Sequence, residues 1–480
     1  MSGHRGLGLG RGLGWALLLA CAGAACGGDS RGRDGRPNVV VILTDDQRYD
    51  TLGCTGSPYA KTPSIDRLAR EGALFTRGYV VTSLCCPARA TLLTGRYAHE
   101  TGIHFNTTGA PFLADRAGFP ERLQEAGYET AFVGKWHIVN PGAAPQPGFD
   151  HWVSFEGQGR YFDETYVVDG RGERIEGFST DVLTDRAIEF VESPRSRPFC
   201  LILSVKNLHG PYLPPERHRR KLLRASFPLP ESHGDPDLPA YVEHARTTAR
   251  NRFFDQDHGG DAEHADYARA YHQLVFSIDE NVGRLVAALE AQDLLDRTLV
   301  VYTSDGGFLW GEHGMYRKRA AWEPSIRVPL IARWPAAIPA GTRVEALALN
   351  VDLAPTILSV AGASAPDDLP GRSLEAVWGG RRPGDWRADF LYVDGWKGPD
   401  GPLELAVVGE RYKYVRYRRG AVGELLVDRE TDPDERRNLA REAGHAQRLE
   451  AMRGRMVELL ADTRSPAGWM AAVATGGEGD

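Results

Sequence analysis

Cysteine is scarce in this chain of 480 residues: Cys21, Cys26, Cys54, Cys85, Cys86 and Cys200 are the full set. That is too few for a disulfide-stapled scaffold, so a buried apolar core has to hold the fold. Long apolar runs are scarce too. The most apolar stretch, residues 13–25, is shorter than a membrane span requires, and no later segment is long enough to cross a bilayer. Positive charge is not in excess. The formal net charge of -7 gives no reason to expect a nucleic-acid partner, but it leaves an anionic substrate open, because the field in a pocket is local. Internal repeats are absent. What remains is ordinary for a soluble globular chain: 42% hydrophobic and 25% charged residues, in a length that suggests two or three domains.

The first apolar run follows His4, Arg5 and Arg11 and reads as a signal peptide, which implies export. Ala24-Ala25-Cys26-Gly27-Gly28-Asp29 resembles a bacterial lipoprotein cleavage site, with Leu18-Leu19-Ala20-Cys21 as a rival. The expected leader is residues 1–26 and the expected linker 27–36. The expected location is the periplasm or cell surface through a lipid anchor, and otherwise secretion.

Four short β-branched runs stand out: residues 38–43, 129–133, 199–205 and 299–303. Nearly continuous apolar strands of this length fit a sheet buried on both faces. Helical patterns lie between them at 62–72, 119–127 and 267–289, the first two closed by Gly72 and Gly127. The alternation predicts an α/β domain over about 37–375, with a mostly parallel sheet flanked by helices. Residues 212–263 are rich in Pro, Arg, His and Asp and read as an insertion. Its Arg217-His218-Arg219-Arg220-Lys221 cluster reads as a solvated surface run. Strand-like segments at 390–393, 403–408, 412–417 and 424–427, then a helix at 446–461, predict a smaller α+β domain over 385–470 on an antiparallel sheet. Residues 471–480 read as a tail.

Ligands of an open α/β sheet bind beyond the carboxyl ends of its strands. There the sequence offers Asp45-Asp46-Gln47, then Lys135-Trp136-His137, then Lys206-Asn207-Leu208-His209, then Asp305-Gly306. Asp45, Asp46 and Asp305 are hard oxygen donors, and like charges packed together call for a cation. Taken singly, each Asp serves equally well as a helix cap or a turn residue. In residues 84–95, Pro87 suits the first turn of a helix and Gly95 its end. Cys85 then sits just before a helix N-terminus that favours an anion, and Arg89 adds a fork for anionic oxygens. On the residues alone, a nucleophilic thiol at Cys85 and a buried cysteine pair both remain open.

Cys85, Pro87 and Arg89 at this spacing, followed by Thr94-Gly95, resemble the signature of type I sulfatases, with Ala88 where that family usually has serine. Asp45-Asp46-Gln47-Arg48, Gly134-Lys135-Trp136-His137, Leu208-His209-Gly210-Pro211 and Gly311-Glu312-His313-Gly314 through Lys318 resemble the family in the same order. The resemblance implies an alkaline phosphatase-like fold and a sulfuric ester hydrolase. It implies that a separate enzyme oxidises Cys85 to formylglycine. It implies one calcium ion, with magnesium the weaker candidate, held by Asp45, Asp46, Asp305 and residue 85. It gives catalytic roles to Cys85, Arg89, Lys135, His137, His209 and Lys318. The expected substrate is a sulfated carbohydrate or other sulfate ester. One departure stands out: Gly306 follows Asp305 where the family usually has a metal-binding Asn or His. Two alternatives follow. One is a phosphonate or phosphate ester hydrolase on the same scaffold, and the other is a sulfated-glycan-binding protein with impaired catalysis.

Overall fold

The computed structural model describes residues 35–106, 118–138, 143–234, 264–394, 404–417 and 423–474. The expected leader, most of the linker, and residues 235–263 of the expected insertion lie outside them.

Among the described residues the main sheet has ten strands: β1 (Asn38–Thr44), β2 (Ala73–Phe75), β3 (Glu129–Gly134), β4 (His151–Ser154), β5 (Phe162–Val168), β6 (Arg171–Phe178), β7 (Phe199–Ser204), β8 (Thr298–Ser304), β9 (Leu330–Arg333) and β10 (Thr342–Val344). Their order is β10-β2-β9-β8-β1-β7-β3-β4-β5-β6. β1 runs parallel to both β7 and β8, and β3 runs parallel to β7 and β4. The four apolar runs of the sequence are thus the four central neighbours β8, β1, β7 and β3.

Helices cover both faces: α1 (Pro63–Glu71), α2 (Cys85–Thr94), α3 (Phe119–Glu125), α4 (Ser179–Glu192) and α5 (His264–Ala291). Every residue of β1 is buried, because alternate side chains serve two different cores. Val40 and Ile42 pack in the core that holds Leu274 and Ile278 of α5. Val39, Val41 and Leu43 pack in the one that holds Ala90 of α2 and Leu123 of α3. Each such buried aliphatic side chain contributes about 1.5–3 kcal/mol relative to exposure.

A second sheet, β11 (Asp389–Asp394), β12 (Glu404–Gly409), β13 (Tyr412–Tyr417) and β14 (Gly423–Asp428), is antiparallel throughout. Helix α6 (Ala446–Asp462) lays Leu449, Met456 and Leu460 into the core that contains Leu391 and Val407. That core also takes in Val81, Trp322 and Ile326, so the second sheet is packed against loops of the first. A last helix, α7 (Ala467–Ala474), runs into the stretch read as tail. No helix among the described residues is long and apolar enough to cross a membrane.

Candidate active site

Parallel neighbours end at one edge of the sheet, so the loops after β1, β3, β7 and β8 meet there. Backbone hydrogen bonds lock them together. Asp45 N–H donates to Asn207 O at 2.7 Å, Lys135 N–H to Ser204 O at 2.8 Å, and Asp305 N–H to Thr44 O at 3.1 Å. The β3 loop needs glycine at its root. Gly134 has φ +126°, and a Cβ there would lie 1.8 Å from Ser204 O.

Cys85 is the first residue of α2, one place further into the helix than its sequence suggests, and Gly95 closes the helix at φ +69°. One turn on, Arg89 is buried. Its Nε donates to Asp305 Oδ2 at 2.7 Å, and its Nη1 donates to Lys135 O at 2.5 Å and Ser204 Oγ at 2.7 Å. Its Nη2 is buried without a hydrogen-bond partner among the described residues. A buried guanidinium donor left over in this way is a place for an anionic oxygen.

Asp45, Asp46, Cys85 and Asp305 are all buried, and each presents a ligand atom within 4.8 Å of the others. Three basic side chains match the three carboxylates. Lys135 Nζ pairs with Asp45, Arg89 with Asp305, and Lys318 Nζ with Asp46. Lys318 Nζ also lies 2.9 Å from Cys85 Sγ. With all three carboxyls ionised, the cluster is neutral. A divalent cation would leave it at +2, a charge that favours anionic ligands. The ammonium of Lys318 already stands where positive charge is wanted. Carboxylate oxygens in this arrangement suit a hard cation, so the residues fit calcium or magnesium.

Burial and neighbours set the charge states. Burial opposes the charge of Asp45, but Lys135 and the other basic groups outweigh it and hold the carboxyl well below the usual range. Burial, helped by Asp45 and Asp305 and opposed by Lys318, pushes Asp46 up to about 7. Lys318 stays an ammonium: burial disfavours its charge, but Asp46 leads a set of acidic neighbours that prevails. Burial, then Lys135 and Arg89, drives His137 down to about 2, and burial drives His209 down as well, so both rings are neutral. Burial pushes the Cys85 thiol up despite Lys135 and Lys318, which argues against an unmodified thiolate as the nucleophile.

The structure brings together Asp45, Asp46, Cys85, Arg89, Lys135, His209, Asp305 and Lys318. His209 Nε2 is 4.0 Å from Asp46 Oδ2, and its Nδ1 donates to Gly210 O at 2.8 Å. His137 stands beside this group, its Nδ1 3.9 Å from Cys86 Sγ. Trp136 is packing: it is buried edge-on against Phe132 and Trp152. Gly306 contributes no side chain, and a Cβ there would meet Lys318 Cδ at 3.7 Å, an ordinary contact.

The sequence motifs missed two neighbours, Gln158 and Tyr161. Gln158 Oε1 accepts from Lys135 Nζ at 2.5 Å. Tyr161 Oη donates to His209 O at 2.7 Å. Lys206, which burial lowers to about 8, donates to Gly210 O at 3.2 Å. Lys206 lies just beyond β7, at the strand end where the sequence places it. Gln158 and Tyr161 belong to no motif.

A buried carboxylate cluster at the helix-capped edge of this sheet defines an alkaline phosphatase-like hydrolase. Residues 37–363 match the sulfatase family model, and residues 311–462 match the model for the C-terminal region of N-sulphoglucosamine sulphohydrolase. The chain belongs to the sulfatase family and is a sulfatase. It is 32% identical over 509 residues to N-acetylglucosamine-6-O-sulfatase of Bacteroides thetaiotaomicron, covering 93% of this chain and 89% of that one. Among solved structures it is similar to BT4656 in complex with its substrate D-glucosamine-2-N,6-O-disulfate, with a TM-score of 0.81 and 31% identity over 89% of this chain and 98% of that one. The phosphonate monoester hydrolase of Agrobacterium radiobacter shares the fold, with a TM-score of 0.73 at 24% identity over 89% and 96% of the two chains.

Proposed function

We propose that this sulfatase releases inorganic sulfate from a sulfated amino sugar of the glycosaminoglycan kind, with glucosamine 6-O-sulfate as the first candidate. The Bacteroides relative and BT4656 support that substrate class by what they are named for. One observation carries the reading of the site: the cluster of Asp45, Asp46, Cys85 and Asp305 within 4.8 Å, matched by three basic side chains.

Cys85, oxidised to formylglycine by a separate maturation enzyme, supplies a hydrated aldehyde whose hydroxyl is the nucleophile toward sulfur. Calcium, held by Asp45, Asp46, Asp305 and residue 85, would lower the pKa of that hydroxyl. Arg89, through its open Nη2, and Lys135 hold charge on the sulfuryl oxygens. Lys318 is the ammonium nearest residue 85 and gives a proton to the leaving alcohol oxygen, with His209 on the same side. Neutral His137 takes the proton of the second hydroxyl as sulfate is expelled. Export belongs to the same proposal, with a lipid on Cys26 and Cys21 as the rival position. The composition of residues 1–29 supports it.

The test is sulfate release in calcium by protein whose residue 85 is verified as aldehyde by peptide mass spectrometry. D-glucosamine-2-N,6-O-disulfate, N-acetylglucosamine 6-sulfate and a phosphonate monoester are compared. Sulfate from the sugars is expected. Faster cleavage of the phosphonate would favour the phosphonate reading. Tight sugar binding with no release would favour the impaired binding protein.

A further inference from the structure

We infer that Gln158 is a positioning residue that fixes which ring nitrogen of His137 carries the proton. The geometry stands by itself, and its catalytic consequence rests on the sulfatase reading above.

Gln158 lies on the turn between β4 and β5, and its side chain reaches two partners. Lys135 Nζ is 2.5 Å from Gln158 Oε1, and His137 Nε2 is 3.2 Å from Gln158 Nε2. Lys135 also pairs with the buried Asp45 carboxylate, so its nitrogen is an ammonium with only N–H bonds to offer. It must therefore meet the amide oxygen. That leaves the amide NH2 facing the imidazole, and an NH2 group only donates. His137 Nε2 has to accept, so in the neutral ring the proton sits on Nδ1. Nδ1 faces Cys86 Sγ at 3.9 Å, a weak acceptor that suits it. Each partner thus fixes the next, from Asp45 to Lys135 to Gln158 to His137.

The consequence bears on the second half of the reaction. A base must present a lone pair. Gln158 keeps that lone pair on Nε2 and occupies it, so the hydrate hydroxyl takes the place of the amide N–H on Nε2 before the proton moves. In the proposed step the hydrate O–H bond breaks, its proton moves to Nε2, the carbonyl re-forms and the C–O bond to sulfate breaks. Once Nε2 is protonated, two N–H donors face each other across the Gln158 contact. That repulsion returns the proton to water and resets the base.

Protein labelled with 15N-histidine reports the tautomer by NMR without substrate, and His137→Asn identifies the signal. The wild-type ring is expected as the Nδ1–H tautomer. Gln158→Leu should move it toward Nε2–H and lower kcat by about 10- to 100-fold, with a much smaller change in KM. Gln158→Glu replaces the donor with an acceptor and should put a proton on Nε2 outright, a shift that misfolding would not mimic. A wild-type ring protonated on Nε2 overturns the inference. So does a Gln158→Leu enzyme with unchanged tautomer and kcat. Because the tautomer is read without substrate, a protein inactive toward every sulfate ester would sink the sulfatase reading while the expected tautomer still supported the role of Gln158.

Discussion

Tyr392 Oη and Ser83 Oγ meet at 2.7 Å, joining the second sheet to the residue two places before Cys85. Ser83 Oγ also accepts the Arg319 N–H at 3.0 Å and lies 3.0 Å from Ser325 Oγ. Next to it, Thr82 Oγ1 donates to Val393 O at 2.8 Å and Val393 N–H donates to Val81 O at 3.0 Å. β11 therefore grips both the approach to Cys85 and the loop that carries Lys318. These two groups arrive from positions 233 residues apart, and the C-terminal sheet sets their spacing.

Tyr392→Phe removes two buried hydrogen bonds, to Ser83 Oγ and, at 3.4 Å, to Asp394 Oδ2, and leaves Ser83 its other partners. The expected loss of stability is about 1–2 kcal/mol, read by urea unfolding. If the contact also holds Lys318 against residue 85, kcat should fall about 3- to 10-fold with KM little changed. A stability loss with unchanged kcat would confine Tyr392 to folding.

Cys85→Ser tests the nucleophile. On the proposed mechanism, a serine hydroxyl left unoxidised keeps an oxygen at this position but forms no hydrate, so its sulfate ester has no route out by C–O cleavage. Turnover should fall by on the order of 10^3 or more. Intact-mass measurement after incubation with substrate should show one sulfuryl group retained, and peptide mapping should place it on the segment that contains position 85. Full turnover by this variant would refute the assignment.

The legibility of this site follows from burial. β1, β3, β7 and β8 lie at the centre of the sheet, so their sequences are nearly all apolar and mark their own ends. Asp45, Lys135, His209 and Asp305 could be placed at one edge before any coordinates. The hairpin of β5 and β6 was not legible. β6 exposes six of its eight residues, and Arg171, Glu173 and Arg174 give no period-2 apolar pattern. Gln158 lies on the turn that leads into that hairpin. Its function depends on a side-chain contact between segments, which no local pattern encodes. The grip of Tyr392 on Ser83 was hidden for the same reason, although the strand that bears Tyr392 was recognisable. In the cluster at 217–221, Arg217 and Arg219 make ordinary surface pairs, while His218 is buried. Arg217 pairs with Asp181 and Glu280, His218 with Glu280, and Arg219 with Glu216.

Gly306→Asn should strengthen metal binding. A Cβ at this position meets only ordinary contacts, and an amide oxygen adds a hard donor next to Asp305. The expected gain in calcium affinity is about tenfold, read by calorimetric titration of chelator-treated protein. Unchanged affinity would mean that the metal does not sit beside residue 306.

Glu404 predicts a pH dependence of stability that is independent of catalysis. It lies directly opposite Asp394 in the pairing of β11 and β12, and it is buried. Its Oε1 accepts the Ala321 N–H at 2.6 Å, while its Oε2 is buried without a hydrogen-bond partner among the described residues. Burial, with Asp394 adding to it, raises the carboxyl from its ordinary 4.5 to about 8. A raised carboxyl means that the folded state binds the proton more tightly than the unfolded chain. The stabilisation is therefore complete below about pH 4.5 and is lost progressively as pH rises toward 8. Each unit of the gap corresponds to about 1.4 kcal/mol, so the loss can reach a few kcal/mol. Glu404→Gln keeps the acceptor for Ala321 and removes the charge. Its melting temperature should match wild type at about pH 5 and exceed it at about pH 9, measured by calorimetry. A variant less stable than wild type at the alkaline end would show that Glu404 is held as a carboxylate by neighbours such as Lys413 and Arg319.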